Sequence, residues 1–376
     1  MNTQNDISRR SFLGHAPAAG ALLCAGATVA KAAEKPANKT PPTIRLGVLN
    51  VGAYSHLTAK WGMLLNPRTD RGEISYTGMH ITHCWDIDPK IAQQFGETYD
   101  CTAVRDFDAM LGKVDAIISG GYYNHPYNHL LHEPYLQAGL PNLINRPLTN
   151  SIHKAQQIVD LAQRHQAPLL VPSSMGHNDV VSQAREFVHS SPLLGYHAVV
   201  GAEDYPTHGI HGLYMLSRAI VDMGNPIQSV SFRAENWHSS PGLLTYEHQD
   251  QNGRPFFGTL QTGEFGVAAM QIHTKSQPLG RSFTLTTGTG DPYNVTEFWL
   301  PLLWVFERLI RTGQMPQSYE QILQKNRAFL AGWQSHLVKQ GQPVKLEDVF
   351  PQWEAPVELP QLPPDPTWGL LQKRFG

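Results

Sequence analysis

Short apolar runs alternate with helix-forming segments over residues 44–172, and this alternation constrains the fold more than any other feature of the sequence. The runs are only a few residues long and mostly apolar, which is typical of strands buried on both faces. Parallel neighbouring strands need a crossover connection, which is usually a helix. The pattern therefore predicts an α/β fold that begins with a doubly wound parallel sheet.

The character of the sequence changes after residue 172. Longer strand-like segments follow, separated by Gly, Pro and Ser, and a helix-rich stretch occupies residues 297–339. A chain of 376 residues is long enough for two domains, which we place at 43–172 and 173–350. We expect the second to be an α+β domain with an open, largely antiparallel sheet. A Pro-rich C-terminal tail occupies residues 351–376, and its segment at 351–366 is expected to lie on the surface.

The first 33 residues have the features of an export signal. Arg9 and Arg10 precede a short run rich in Ala, and a small-x-small cleavage sequence ends at Ala32. The run is too short and too rich in Ala and Gly to span a membrane. We therefore expect a twin-arginine signal peptide at 1–33 and a linker at 34–42. The mature protein is then a periplasmic or otherwise exported protein, carried by the twin-arginine export machinery, with no stable membrane anchor.

Charge and residue counts narrow the function. The net charge is −2 and no run of Lys or Arg follows the signal region, so we expect no nucleic-acid partner. Eighteen His against three Cys direct attention to imidazole chemistry. Cys24 lies in the signal region, and the sequence does not determine whether Cys84 and Cys101 pair.

The turn after the first strand carries part of a dinucleotide-binding fingerprint. The three positions that hold glycine in Gly-x-Gly-x-x-Gly are occupied here by Asn50, Gly52 and Ser55. Gly52 keeps the position where the backbone approaches the pyrophosphate, and Asn50 tolerates a left-handed turn. Ser55 is expected to loosen the contact between helix and strand. Ala53 and Tyr54 complete the loop that we expect to contact the cofactor.

An acidic residue ends the second strand. Asp86 lies 34 residues after Gly52, where a carboxylate accepts hydrogen bonds from the adenosine ribose. The same charge repels a 2′-phosphate, so we expect NAD rather than NADP. The alternative role for Asp86 is to cap the following helix, for which Asp88 competes.

Four segments resemble, in their order and spacing, the Gfo/Idh/MocA family, which includes glucose-fructose oxidoreductase and inositol dehydrogenase. The resemblance covers roughly residues 44–348. It is found in the loop at 124–129, in the segment at 138–148 that is similar to the family's A-G-K-H-V-x-x-E-K-P-L, in the interdomain segment at 205–212, and in a C-terminal helix pair at 310–346. It implies a Rossmann domain that binds NAD and a second domain that binds a sugar.

The resemblance also implies roles for individual residues. Asn145 and Arg146 take the places of the family's Glu and Lys, and that Lys lies beside the nicotinamide and the reacting hydroxyl. Arg keeps the charge but does not release a proton at working pH; its alternative role is to tie its own loop to a carboxylate. His129 matches a loop His beside the cofactor. For the acid or base from the second domain, His211 is preferred and His208 is the alternative.

Several aromatic and imidazole side chains cluster near the fourth strand. The spacing of His125, His129 and His132 is suited to one face of a helix, so zinc must be considered. A proline interrupts the spacing and no carboxylate completes a known zinc motif, so we expect no metal site. Tyr122 and Tyr123 either stack on a nicotinamide or sugar ring or belong to the core.

These observations together predict an exported NAD-dependent oxidoreductase that transfers hydride at a hydroxyl of a small-molecule sugar or sugar derivative. Two alternatives stay open. One is an NAD-dependent glycosidase or lyase that retains its cofactor. The other is a non-catalytic protein that binds carbohydrate or a partner on a dehydrogenase scaffold, which the loss of two fingerprint glycines and of the lysine favours. A homo-oligomer through the C-terminal sheet is also expected.

Overall fold

The computed structural model describes residues 41–52, 55–68, 72–121, 124–201, 205–235, 241–263, 268–285, 295–356 and 366–375. The expectations for the signal peptide, for nearly all of the linker and for Ala53, Tyr54, Tyr122 and Tyr123 lie outside these residues. No helix within the described ranges combines the length and the apolar content needed to cross a membrane.

The first sheet has six parallel strands in the order β3-β2-β1-β4-β5-β6. They are β1 (Ile44–Leu49), β2 (Met79–Trp85), β3 (Thr102–Ala103), β4 (Ala116–Ser119), β5 (Asn142–Ile144) and β6 (Leu169–Leu170). This order confirms the doubly wound sheet. From β1 the chain builds the sheet outward to β3, and from β4 it builds outward to β6 on the other side. The carboxyl ends of β1 and β4 therefore border the crevice where such sheets bind ligands.

Helices lie on both faces of this sheet. They are α1 (Gly62–Leu65), α2 (Pro89–Tyr99), α3 (Asn128–Leu131), α4 (Glu133–Gln137) and α5 (Ile152–Arg164). A π-helical turn at Leu57–Trp61 precedes α1, so the first crossover is less regular than the single helix typical of such a unit. Cys84 and Cys101 are both free thiols in the hydrophobic core on the α1 and α2 side of the sheet.

The second sheet has seven strands in the order β12-β11-β7-β10-β9-β8-β13. They are β7 (Leu193–Gly201), β8 (Ile227–Ala234), β9 (Gly242–Gln249), β10 (Pro255–Gly263), β11 (Ala268–Thr274), β12 (Arg281–Leu285) and β13 (Val344–Lys345). Only the β7–β10 pair is parallel, which confirms the largely antiparallel sheet. Its outer face leaves Leu194, Leu243 and Phe257 exposed.

The remaining helices are α6 (Asp179–Ser190), α7 (Ile210–Ala219), α8 (Val295–Thr312), α9 (Tyr319–Leu337) and α10 (Pro366–Phe375). Residues of α6, α7 and α9 share a core with the inner face of the second sheet. Residues of α8 pack instead on the first sheet.

The C-terminal tail contains a short helix after its Pro-rich segment. Helix α10 buries Leu371 against Trp85 and Tyr127, in the core on one face of the first sheet. The Pro-rich composition of residues 351–366 concealed this short helix, because its apolar side chains are few.

Candidate active site

The turn after β1 has the backbone that a dinucleotide site requires. Asn50 has a φ of 58°, the left-handed conformation that the fingerprint's first glycine usually adopts. Its backbone N–H donates to the Trp85 carbonyl at 3.0 Å, which joins the turn to the end of β2. Gly52 follows in the same turn and is buried. The left-handed backbone expected at Asn50 is thus present.

Ser55 does not loosen the first crossover, contrary to our expectation. It forms an isolated bridge with Gly121, and the next backbone N–H, of His56, donates to the Gly120 carbonyl at 3.0 Å. A Cβ at Gly120 would overlap Ser55 Oγ and would lie 2.7 Å from Leu57 Cγ. The glycine that permits close packing between these two segments therefore follows β4, whereas in the fingerprint it lies in the turn after β1.

Asp86 lies at the carboxyl end of β2 and is only 3% exposed. Its Oδ1 accepts a hydrogen bond from the Asp88 backbone N–H at 3.1 Å. Asp88 is the N-cap of α2 and accepts from the Lys90 backbone N–H at 2.9 Å. Because Asp88 caps the helix, the capping alternative does not account for Asp86.

Arg146 and His211 meet between the two sheets. Arg146 follows β5 and His211 lies in the first turn of α7. Arg146 Nη2 is 2.5 Å from His211 Nε2, and both side chains are buried. On the other side of the ring, His211 Nδ1 is 2.6 Å from the Ser173 hydroxyl oxygen.

These contacts determine the tautomer of His211. A guanidinium has only donors, so Nε2 must accept from Arg146 and carries no proton. The proton of a neutral ring is then on Nδ1, which donates to Ser173. Ser173 Oγ also accepts from the Met175 backbone N–H at 3.2 Å and so caps the short 3-10 helix at Ser174–His177. The unprotonated nitrogen that a base needs is therefore directed toward Arg146.

Aromatic side chains from both halves of the chain border this pair. The His56 ring centroid is 6.4 Å from that of His211. His56 in turn packs on Trp61 at 5.0 Å and edge-on to Trp299 of α8 at 4.6 Å. The segment after β1 thus places an imidazole beside His211, and two indoles pack against that imidazole.

The other candidates are distributed as follows. Asn145 is buried, and its side-chain amide donates to the Gly120 carbonyl at 3.0 Å, so it ties the loop after β5 to the loop after β4. His129 is half-buried, and the charged groups that act on it are Lys154 and Glu354. The structure thus places it in another electrostatic environment than His211. The His208 side chain lies outside the described residues.

The three histidines considered for zinc have separate surroundings. His132 is fully buried, and its Nδ1 is 2.7 Å from Asn142 Oδ1. His125 lies in the 3-10 turn before α3, and His129 lies within α3. No group of three or more His, Cys, Asp or Glu among the described residues could hold a metal ion.

Sequence reasoning missed Ser173, His56 and Lys325. Ser173 follows β6, and the carboxyl end of a parallel strand was the signal that could have identified it. Lys325 is 2% exposed and lies on the apolar face of α9 between Ile322 and Phe329. A lysine among apolar residues at helical spacing was the available signal.

Comparison with known proteins supports the same fold. The structure is similar to apo scyllo-inositol dehydrogenase from Lactobacillus casei, with a TM-score of 0.66 at 13% identity over 82% of this chain and 99% of that chain. It is also similar to myo-inositol dehydrogenase from Lactobacillus casei in complex with NAD(H) and myo-inositol, with 0.65 at 13% identity over 81% and 96%. An oxidoreductase from Agrobacterium radiobacter in complex with NAD+, L-tartaric acid and magnesium gives 0.59 at 14% identity over 81% and 99%.

Identities of this size establish a shared fold. No sequence of a curated protein matches this chain significantly. Residues 50–173 match the family model for the oxidoreductase family with an NAD-binding Rossmann fold. This segment contains the Asn50–Gly52 turn, Asp86, Arg146 and Ser173. Over residues 50–173, the chain is therefore similar to the NAD-binding Rossmann domain of the Gfo/Idh/MocA oxidoreductase family.

Proposed function

We propose that this protein oxidises or reduces a hydroxyl-bearing carbon of a sugar or cyclic polyol, with hydride transfer to or from NAD. The observation that carries the proposal is the Arg146–His211 pair, which lies beside the first crossover of the Rossmann sheet. It combines a fixed cation with an imidazole whose Nε2 is unprotonated. Two of the similar structures are inositol dehydrogenases, which supports a polyhydroxylated ring as substrate.

The described residues fit a dinucleotide. The left-handed turn at Asn50 and the absence of a Cβ at Gly52 would allow a pyrophosphate to approach the backbone, and Asp86 would be an acceptor for the ribose diol. When bound, NAD supplies the hydride acceptor or donor. The buried carboxylate of Asp86 would repel a 2′-phosphate, which supports NAD over NADP.

Proton handling falls to His211. In the oxidation direction, the substrate hydroxyl displaces the guanidinium from Nε2, and Nε2 takes the hydroxyl proton as hydride leaves the same carbon. Arg146 then donates to the oxygen and stabilises the negative charge that develops on it. The imidazolium keeps its Nδ1–H bond to Ser173, so the ring does not rotate. In reduction, the same proton returns from Nε2 to the oxygen.

One experiment separates this function from its alternatives. The purified protein is analysed for bound dinucleotide and then incubated with a panel of inositols, aldoses and glycosides while NADH absorbance and products are followed. Net change in NADH with one class of polyol supports the oxidoreductase. Release of an aglycone or elimination product with no net NADH supports the NAD-dependent glycosidase or lyase. Sugar binding without dinucleotide and without turnover supports the non-catalytic protein and contradicts our proposal.

We also propose that the protein is exported in the folded state through the twin-arginine machinery, on the basis of Arg9, Arg10 and the Ala-rich run. Replacing both Arg by Lys should leave full-length precursor inside the cell, and normal export of that variant contradicts the proposal. The exposed Leu194, Leu243 and Phe257 support a homo-oligomer through the second sheet. Phe257→Asp should then reduce the mass measured in solution.

A further inference from the structure

A buried lysine on α9 contacts both of the segments that carry the Ser173–His211 hydrogen bond. Lys325 Nζ donates to the Val171 carbonyl at 3.1 Å. The same nitrogen lies 4.4 Å from the ring centroid of Tyr214. The side chain is 2% exposed, so it makes these contacts away from water.

The two residues that Lys325 contacts lie close in sequence to Ser173 and to His211. Val171 is two residues before Ser173, with a proline between them, so its position determines where the Ser173 hydroxyl lies. Tyr214 is three residues after His211 on α7, on the neighbouring turn of the same face. We infer that Lys325 is a positioning residue for the Ser173–His211 pair. Only the catalytic significance of this inference rests on the proposed function, because the test measures the hydrogen bonding of His211 itself.

Neighbouring polar side chains fix the position of the Lys325 ammonium group. Its ammonium donates to the side-chain oxygen of Gln317, and the Gln317 amide nitrogen lies 2.9 Å from both carboxylate oxygens of Asp222. Asp222 also pairs with Arg218 at 2.5 Å. The titratable and charged groups that face this cluster from α6, α7, the 3-10 turn after β6 and the turn after α7 are Arg185, Tyr214, Arg218, His177 and Asp222.

Stability alone does not account for a lysine at this position. Burial lowers the pKa of Lys325 to about 7, with Asp222 opposing the shift and Arg218 adding to it. A methionine would occupy similar space without this desolvation cost. An ammonium, however, donates three hydrogen bonds and attracts an aromatic ring, whereas the neutral amine has one donor fewer and no charge. The strength of the hydrogen bond to Val171 and of the contact with the Tyr214 ring therefore depends on the protonation of Lys325.

The test follows the ring nitrogens of His211 by NMR in the full mature chain, with the signals assigned through His211→Asn. In the wild type, the Nδ1 signal should report a hydrogen bond and should change in a step centred near pH 7, where Lys325 loses its proton. Lys325→Met should abolish the step and weaken the hydrogen-bond signature. Lys325→Arg stays charged at all working pH values, so it should abolish the step and keep the signature.

Lys339→Met is the matched control, because Lys339 lies 5.3 Å from the Phe350 ring but is exposed. It should leave the His211 signals as in the wild type. A step that persists in both Lys325 variants belongs to another group and overturns the inference, as does an unchanged signature in Lys325→Met. If Lys325→Met does not fold, as judged by circular dichroism, the Arg variant decides alone. Lack of NADH formation with every sugar would contradict the proposed function and leave this result unaffected.

Discussion

Arg146 donates to Nε2 of His211 at 2.5 Å, so a permanently charged guanidinium covers the one nitrogen of the imidazole that can act as a base. The opposite nitrogen is bound to Ser173. A ring held at both nitrogens cannot rotate, and a substrate oxygen must replace Arg146 before a proton can move. Substrate binding and proton transfer are therefore coupled through these two side chains.

Replacing His211 should remove turnover and leave substrate binding nearly intact. General acid–base help is worth about 10²–10⁴-fold in rate, and His211→Ala should lose an amount in that range while the KM changes little. Ser173→Ala should lose less, on the order of tenfold, because the base remains but its Nδ1–H loses the acceptor that orients the ring. Steady-state kinetics measure both. His165→Ala, at an exposed position, is the control. Wild-type turnover in His211→Ala would remove it from the mechanism and move the proposal to His208.

Arg146 offers a test of the charge that covers the base. Arg146→Ala should weaken substrate binding as well as rate, because it removes the donor to the reacting oxygen. Arg146→Lys keeps a positive charge, but on a shorter, single-point donor that can lose its proton in a buried site. We expect dehydrogenase turnover to rise in the Lys variant, with a new ionisation in its pH profile. Losses as large as those of the Ala variant would contradict this expectation.

Close packing at Gly120 is the basis of a third prediction. Gly120→Ala forces a methyl group onto Ser55 Oγ and Leu57, which should cost about 1–3 kcal/mol of the free energy of unfolding. The same shift of the turn after β1 should lower NAD affinity. Adding Ser55→Gly should recover part of both losses, with Leu57 still in contact. Chemical denaturation and calorimetry measure the two effects. Gly369→Ala, with no atom within 4 Å of the added Cβ, is the control and should not destabilise.

More of the fold than of the candidate site could be predicted from the sequence. Apolar runs and turn residues specify the order of strands, and Asn50 identified the left-handed turn because few other residues adopt it. The reversal of roles between Ser55 and Gly120 could not be predicted, because the two residues are 65 positions apart and only the sheet order brings them together. The same holds for Lys325, whose contacts with Val171 and Tyr214 depend on the packing of α9.

Two acidic residues, two positions apart in one turn, allow a matched comparison. Asp86→Ala should lower NAD affinity, since it removes the acceptor for the ribose diol, and should change stability little. Asp88→Ala removes the N-cap of α2 and should cost about 0.5–2 kcal/mol of stability with NAD affinity nearly unchanged. Calorimetric titration and thermal unfolding of both variants decide. Equal NAD affinity in Asp86→Ala and the wild type would show that the ribose assignment is wrong.

The buried histidines should make the folded state sensitive to acid. Burial lowers the pKa of His132 and of His248 to about 4, and the hydrogen bond of each ring, with Asn142 and with the Asn225 carbonyl respectively, only partly opposes this shift. The unfolded chain has ordinary histidines with a pKa of about 6.5, so between these values it binds more protons than the folded chain. The stabilisation is therefore present above about pH 6.5 and is lost as the pH falls toward 4, at up to about 1.4 kcal/mol per pH unit for each ring.

Urea denaturation at a series of pH values measures this slope. His132→Gln keeps a side-chain donor for Asn142 but does not titrate. Its free energy of unfolding should therefore fall less steeply as the pH decreases, and the difference should equal the contribution of one titrating group. His153→Gln is the control, because that side chain is exposed and its hydrogen bond is with Gln157, one turn further along the same helix; its acid slope should match the wild type. An identical slope in His132→Gln and the wild type would mean that His132 is protonated in the folded chain, and its burial beside Asn142 would then not control its charge.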